Sequence, residues 1–216
     1  MNAPIGVFGG TFDPIHYGHL RTAFELWQAL RLAQVRFLPT GNQPPHREPS
    51  LAPPELRLQM VRAAITGQDA FVVDDREMRR TGISYSVDTL LDLRAEYPER
   101  SLCLLLGMDA FLGMPHWHRW REIFDLAHVV VAHRPGWKAP ITGPLGEVMV
   151  DRGTGSVRDL HGARAGRIYV RAVTQLEIAS TDLRQLILGG RDLRYLVPDA
   201  VRELIVASGC YAAPDS

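Results

Sequence analysis

The residues of this chain whose types and spacing best suit chemistry lie in the stretch GGTFDPIHYGHL, residues 9–20. His16 and His19 are three residues apart, so at the start of a helix their imidazoles face the same side. Gly9 and Gly10 let backbone approach a ligand closely. Paired imidazole N–H donors at a helix N-terminus stabilise phosphoryl oxygens as charge builds in a transition state. The stretch therefore predicts an anion-binding turn.

Two other interpretations of this histidine pair stay open at the level of sequence. Histidines among glycines also form ordinary hydrogen-bonded turns, and an HxxH pair can hold a metal. Zinc is disfavoured because no third His or Cys ligand is evident nearby in the sequence. The lysine phosphate loop GxxxxGK[ST] is absent, and Gly153–Gly155 does not follow a predicted strand, which disfavours P-loop and dinucleotide-binding motifs.

Composition places the chain among ordinary globular proteins. It has 216 residues, 46% of them hydrophobic, with 24 basic and 24 acidic side chains. This size favours one domain, and the charge balance gives no sign of a nucleic-acid or membrane partner. Cys103 and Cys210 show no metal-binding or disulfide spacing, and the longest apolar runs fall well short of the ~20 residues that span a bilayer. We expect a cytoplasmic protein.

The elements that must position the histidines follow a strand-then-helix order. Short apolar runs predict strands at residues 5–8, 35–38, 71–73, 102–106, 129–132 and 168–173. Helical spacing begins at Leu20, Leu56 and Val87, and shorter helices are predicted before Gly189 and after Pro198. This alternation predicts an α/β fold with a Rossmann-like, doubly wound parallel sheet covered by helices on both faces.

The domain organisation predicted from these elements is simple. We expect a single domain over residues 1–216, in which residues 181–216 form a small helical C-terminal subdomain. Residues 135–166 are rich in glycine with little periodicity, which predicts a long irregular surface excursion. The turn at residues 9–20 follows the first strand, where ligands of open parallel sheets bind.

Seven segments of the chain resemble one enzyme family. His16-Tyr17-Gly18-His19 matches the [HT]xGH signature of the nucleotidyltransferase superfamily. The wider set resembles bacterial nicotinate-nucleotide adenylyltransferases through GGTFDPIHYGHL, PTGNQPPHR, SYSVDTL, GMDAFLGMPHWHRWREI, HRPG, IASTDLR and YLVPDAV. These segments occur in the family's order and are spread along the chain from residue 9 to residue 201, so the resemblance covers nearly the whole chain.

The resemblance implies transfer of the adenylyl group of ATP to nicotinate mononucleotide, which yields nicotinate adenine dinucleotide and pyrophosphate. It also implies Mg²⁺, bound mainly through the phosphates of ATP. A phosphomonoester has a second pKa of about 6, so the acceptor is already largely dianionic at neutral pH and needs no general base. The task is then to align two anions and to stabilise the departing pyrophosphate.

The same resemblance assigns roles to individual residues. It assigns catalytic roles to His16, His19, Arg47 and Arg184. It assigns ATP binding to Gly9, Gly10, Phe12, Gly18, Gly107, Asp109, Ser180 and Thr181. It assigns acceptor binding to Thr11, His46, Ser86, Trp117 and His118.

Some of these residues also have ordinary structural explanations. Ser180 and Thr181 are common N-cap residues, Asp109 suits the cap of the helix that follows it, and the PPHR segment suits an exposed turn. Trp117 is expected to stack on the pyridine ring, whereas the helical spacing of Trp120 predicts a core position.

Ser86 and Ala179 depart from the family's frequent threonine and serine at these positions. The alternatives to the acceptor are nicotinamide mononucleotide and phosphopantetheine. A non-catalytic nucleotide sensor is a further alternative. The sequence leaves the choice between a monomer and a homo-oligomer open.

Overall fold

A parallel sheet organises the molecule, as seen in a computed structural model that describes residues 2–43, 49–133, 142–174 and 176–212. The strands are β1 (Ile5–Gly10), β2 (Gln34–Pro39), β3 (Phe71–Val73), β4 (Leu102–Gly107), β5 (His128–His133), β6 (Gly153–Thr154) and β7 (Ile168–Ala172). Their order is β3-β2-β1-β4-β5-β7-β6, and each described pair is parallel. The predicted α/β class is confirmed.

Helices fill most of the connections between strands. They are α1 (Tyr17–Leu30), α2 (Pro54–Ile65), α3 (Arg76–Arg79), α4 (Ser86–Glu96), α5 (Met108–Gly113), α6 (Ile123–Leu126), α7 (Gly143–Arg152), α8 (Val157–Gly162), α9 (Ser180–Leu188) and α10 (Asp199–Ser208), with 3-10 turns η1 (Met114–His116) and η2 (Trp120–Glu122). Pro54 opens α2 at its first turn, where its missing N–H costs nothing. Gly209, with φ of 62°, ends α10 in the left-handed conformation.

The core has one half on each face of the sheet. On one face, Leu26 of α1, Met60 of α2 and Val201 of α10 are fully buried in a common cluster. On the other face, a second cluster includes Leu90 of α4 and Phe124 of α6. Because helices cover both faces, the doubly wound arrangement predicted from the sequence is confirmed.

The glycine-rich segment is more regular than expected. Residues 142–166 contain α7, β6 and α8, so the prediction of an irregular excursion was wrong for this part, while residues 134–141 lie outside the described residues. Pro144 lies in the first turn of α7, and Leu145 and Leu160 are buried. Each helix buries only one or two residues, too few to produce a clear periodic signal. Within the described ranges, no helix is long and apolar enough to cross a membrane.

Candidate active site

The histidine motif lies where β1 turns into α1, at the carboxyl edge of the sheet. His16 is the N-cap of α1, and its carbonyl oxygen accepts hydrogen bonds from the N–H groups of His19 and Leu20 at 3.0 and 3.2 Å. The helix therefore begins at Tyr17, three residues before Leu20, where the helical spacing of apolar residues begins. His16 thus caps the helix and His19 lies in its first turn, where N–H groups and the positive end of the helix dipole favour an anion.

The two imidazoles form a stacked pair. Their ring centroids are 3.8 Å apart with an interplanar angle of 28°. Both Nδ1 atoms are buried and have no hydrogen-bond partner within the described part of the chain. This observation does not fit a satisfied structural turn, because buried polar atoms in such turns are normally paired.

Burial keeps both imidazoles neutral near pH 7. It lowers the pKa of His16 to about 4. Burial also lowers the pKa of His19 well below its usual range, and repulsion from the adjacent His16 ring, when that ring is protonated, lowers it further. Each neutral ring retains one N–H donor, so the pair can donate hydrogen bonds to anionic oxygens.

Small and aromatic neighbours fix where these rings stand. The ring of His19 meets the edge of Phe12 at 5.1 Å between centroids. A Cβ atom on Gly18 would lie 2.9 Å from Nδ1 of His16, so only glycine allows the ring its present position. Phe12 has φ of 50°, a left-handed conformation that is uncommon for a residue with a side chain.

Side-chain donors hold three carbonyl groups of the turn. Arg57 Nη1 donates to the Thr11 carbonyl at 2.7 Å, and Arg184 Nη1 donates to the Asp13 carbonyl at 2.8 Å. The Ser180 hydroxyl donates to the carbonyl of Pro14 at 3.0 Å. The turn is thereby tied to α2 and to the start of α9.

The Asp13 carboxylate joins this turn to two distant segments. It accepts hydrogen bonds from the N–H groups of Leu51 at 2.9 Å and Ala52 at 3.1 Å. It also accepts one from the hydroxyl of Tyr211 at 2.6 Å. Burial raises the pKa of the Tyr211 hydroxyl, and the hydrogen bond to the Asp13 carboxylate raises it further. Asp13 is therefore engaged by the protein itself.

A pocket opens beside the glycines of β1. It is lined by Gly9, Gly10, Thr40, Glu77, Ser84, Tyr85, Ser86, Leu104, Leu106, Ala110, Trp117 and His118. Trp117 is half-buried and packs against the apolar core, while the rings of Tyr85 and His118 lie 4.5 Å apart. The structure thus brings Ser86, Trp117 and His118 to one pocket with the two glycines.

A buried carboxyl group forms part of this pocket wall. Glu77 accepts a hydrogen bond from the Thr89 hydroxyl at 2.7 Å, and burial raises its pKa. The Ser84 hydroxyl oxygen is also buried, without a partner among the residues described. The pocket therefore combines an aromatic wall with polar groups whose hydrogen-bonding capacity is partly unused.

The other candidate residues lie around the same edge or outside the described ranges. Gly107 ends β4, and Asp109 is exposed in the first turn of α5, with no side-chain capping bond there. Thr181 is exposed and lies 3.4 Å from Arg184 Nη2. The N-cap of α9 is Ala179, so Ser180 does not cap this helix. His46 and Arg47 lie outside the described residues.

Sequence reasoning missed Asp13, Arg57, Glu77 and Tyr211 as parts of this edge. Arg57 carried a weak signal, because it shares the buried face of α2 with Met60 and Val61 at a spacing of three and four residues. A charged residue on an apolar stripe indicates a buried hydrogen-bonded role. Trp120, in contrast, is buried against Phe124 as expected.

Comparison with known proteins agrees with this geometry. Residues 7–186 match the model of the cytidylyltransferase-like family. A probable nicotinate-nucleotide adenylyltransferase of Aeromonas hydrophila is 46% identical, with 98% of each chain covered. One of Methylococcus capsulatus is 47% identical, covering 96% of this chain and 99% of the relative.

The chain belongs to the nicotinate-nucleotide adenylyltransferase family. Its fold is also that of Plasmodium falciparum nicotinic acid mononucleotide adenylyltransferase complexed with NaAD. The TM-score is 0.73 at 14% identity, with 97% of this chain and 98% of that one covered. At that identity the likeness concerns the fold alone. The histidine pair and the pocket described above therefore lie at the carboxyl edge of a nicotinate-nucleotide adenylyltransferase sheet.

Proposed function

We propose that this enzyme transfers the adenylyl group of ATP to nicotinate mononucleotide, releasing pyrophosphate and nicotinate adenine dinucleotide in NAD biosynthesis. One observation carries the proposal. The stacked histidine pair at the start of α1, whose Nδ1 atoms have no partner among the described residues, and the Trp117 pocket both adjoin the end of β1, which contributes Gly9 and Gly10. A phosphate site and a flat aromatic pocket thus meet at one backbone segment.

The reaction requires donors more than bases. The acceptor's phosphate is already charged, so the enzyme must hold it in line with the α-phosphorus of ATP and stabilise charge on the leaving pyrophosphate. Neutral His16 and His19 supply N–H donors for phosphate oxygens, and we place His19 nearest the reacting phosphorus. Arg47 and Arg184 would extend the same function to the outer phosphates.

Mg²⁺ is expected to arrive with ATP. The groups around the turn are imidazole and guanidinium donors, which suit anionic oxygens, and the nearby Asp13 carboxylate already accepts three hydrogen bonds from the protein. We therefore propose that phosphate oxygens of ATP hold the ion, which would neutralise part of their charge.

The acceptor pocket favours an acid over an amide. The first-turn N–H groups of Ser86 and Val87 have no acceptor within α4, because helical hydrogen bonding begins later. Together with the helix dipole, they favour a carboxylate next to Ser86. Trp117 would stack on the pyridine ring.

The test is pyrophosphate release from ATP and Mg²⁺ with one of three acceptors: nicotinate mononucleotide, nicotinamide mononucleotide or phosphopantetheine. We expect a clear preference for nicotinate mononucleotide. Ser86→Ala should weaken that preference, whereas Ser101→Ala, which removes a buried hydroxyl bonded to the Leu160 carbonyl, should leave it unchanged. Equal use of acid and amide by the native enzyme would contradict the pocket assignment, and absence of turnover would favour a nucleotide sensor.

We further propose that residues 1–216 form one nucleotidyltransferase domain with a helical C-terminal subdomain at 181–216. The packing of α9 and α10 on the same apolar cluster as α1 and α2 supports this arrangement. A cytoplasmic location is consistent with the free thiols of Cys103 and Cys210. Size-exclusion chromatography with light scattering would decide between a monomer and a homo-oligomer.

A further inference from the structure

Arg57 is a buried cation that hydrogen-bonds to backbone. It lies on α2 with no exposed surface. Its Nη1 donates to the Thr11 carbonyl at 2.7 Å and its Nε to the Ala52 carbonyl at 3.3 Å. Burying a guanidinium is costly, and burial lowers its pKa while the nearby Asp13 charge opposes that change. Among the described residues, these two carbonyl groups accept the hydrogen bonds of the buried guanidinium.

These two carbonyl groups belong to different segments of the site. Thr11 is part of the turn after β1, whereas Ala52 lies between residues 44–48 and α2. The Asp13 carboxylate bonds the N–H group of Ala52, so both backbone groups of Ala52 are fixed by the same pair of side chains. Arg57 and Asp13 therefore form a double clamp between the turn and the segment that follows residues 44–48.

The clamp has a directional consequence at Phe12. A trans peptide is planar, and its C=O and N–H groups point in opposite directions. Because Arg57 holds the Thr11 carbonyl, the Phe12 N–H must point away from the guanidinium. Among the described residues, this N–H donates to no backbone carbonyl group. Phe12 is held in a left-handed conformation.

We propose that Arg57 is a positioning residue for adenylyl transfer. By holding the Thr11 carbonyl, it aims the Phe12 N–H at the phosphate of the acceptor mononucleotide. This inference rests on the proposed function. It extends the acceptor-binding role expected for Thr11 to the N–H group of Phe12, a residue for which the resemblance implies ATP binding. Arg57 itself touches no substrate and acts only through the orientation of one peptide group.

Two variants test this role in the full chain. Arg57→Lys keeps the charge but cannot reach both carbonyl groups. Arg57→Met removes the charge at similar length and leaves both carbonyl groups without this donor, so each variant is assayed below its own melting temperature. In each variant, we expect KM for nicotinate mononucleotide to rise about 10-fold, in line with losing a hydrogen bond to a charged group. KM for ATP should change less than about 2-fold.

Arg94→Lys is the matched control. Arg94 also donates to backbone carbonyl groups, those of Tyr97 at 2.9 Å and Arg100 at 2.7 Å, but at the opposite edge of the sheet. It should lower the melting temperature and leave both KM values unchanged. A purely structural role for Arg57 would give the same result in the Arg57 variants, and that outcome would overturn the proposal.

A spectroscopic measurement separates this inference from the proposed function. With ¹⁵N-labelled protein, adding nicotinate mononucleotide should shift the Phe12 amide proton downfield in the native enzyme and much less in Arg57→Lys. Equal shifts in both proteins would refute the role of Arg57 while leaving the proposed function standing. A native enzyme that releases no pyrophosphate with this acceptor would overturn the proposed function, and the role of Arg57 with it.

Discussion

The two edges of the sheet both bury polar side chains, yet they satisfy them to different degrees. At the amino edge, Arg94 donates to several backbone carbonyl groups, including that of Leu126. His128 uses both ring nitrogens, one with the Ala163 carbonyl at 2.9 Å and one with the Arg167 N–H at 3.0 Å. Among the described residues, Nε of Arg94 is the exception at this edge.

The carboxyl edge leaves more of its buried polar atoms unpaired. Those within the described ranges are His16 Nδ1, His19 Nδ1, Gln43 Nε2, Arg57 Nη2 and Ser84 Oγ. Each buried unpaired group costs about 1–3 kcal/mol. At His16, His19 and Ser84, which line the candidate site, substrate can supply the missing partner. The contrast therefore separates an edge built for stability from one built for binding.

The largest kinetic effect at the carboxyl edge is expected from His19→Ala. Removing a transition-state donor should lower kcat by about 100-fold or more, because such donors are worth roughly 3 kcal/mol. The fold should remain intact, since the Nδ1 atom of His19 bonds to no described group. Steady-state turnover and a melting curve measure both quantities.

The matched control is His128→Gln at the amino edge. This histidine is fully buried and bonded through both nitrogens, so the variant should melt at a lower temperature while keeping kcat within about 2-fold at a temperature where it is folded. Near-normal turnover in His19→Ala would show that His19 has no role in the mechanism. The carboxyl edge would then not differ from the amino edge in function.

A smaller effect is expected in the pH dependence of stability without ligand. The pKa of His16 is about 4 in the folded chain against 6.5 in the reference state. Between these values the unfolded chain binds more protons, so this group makes stability fall as pH drops from 6.5 toward 4. At pH 5, the shifted pKa of His16 lowers the free energy of unfolding by about 2 kcal/mol.

Urea unfolding at pH 7.5 and pH 5 measures this loss of unfolding free energy. His16→Asn should lose about 2 kcal/mol less than the native protein over that interval, because asparagine does not titrate. If both proteins lost equal stability, the imidazole of His16 would not be held neutral by burial, and its expected role as a neutral donor would fail.

Trp117→Ala should have a more moderate effect, confined to the acceptor. Loss of aromatic stacking costs about 1 kcal/mol of binding free energy, so KM for nicotinate mononucleotide should rise roughly 5-fold with little change for ATP. Trp120→Phe is the control, because Trp120 is buried against Phe124 and should affect stability instead. Equal changes in KM for the two substrates would place Trp117 in the scaffold.

The features that sequence reasoning predicted are local ones. The turn after β1 follows from glycine and histidine spacing within twelve residues, and the alternation of strands and helices follows from apolar periodicity. Trp120 was placed in the core by helical spacing alone. In each case, neighbouring residues in the chain carry the information.

The features that sequence reasoning missed depend on distant contacts or on very short elements. Asp13 and Tyr211 are 198 positions apart and meet through one hydrogen bond. α3 and α6 have four residues each, too few to show a helical period. Folding of the whole chain, rather than any local preference, decides these contacts.

The smallest expected effect tests whether the C-terminal residues belong to the carboxyl edge. Tyr211→Phe removes only the hydroxyl that donates to Asp13 and should lower the free energy of unfolding by about 1 kcal/mol. The Asp13 carboxylate keeps its bonds to Leu51 and Ala52, so KM for nicotinate mononucleotide should change less than in the Arg57 variants. If Tyr211→Phe changed this KM more than Arg57→Lys does, Tyr211 rather than Arg57 on α2 would be the main residue that holds the turn in place.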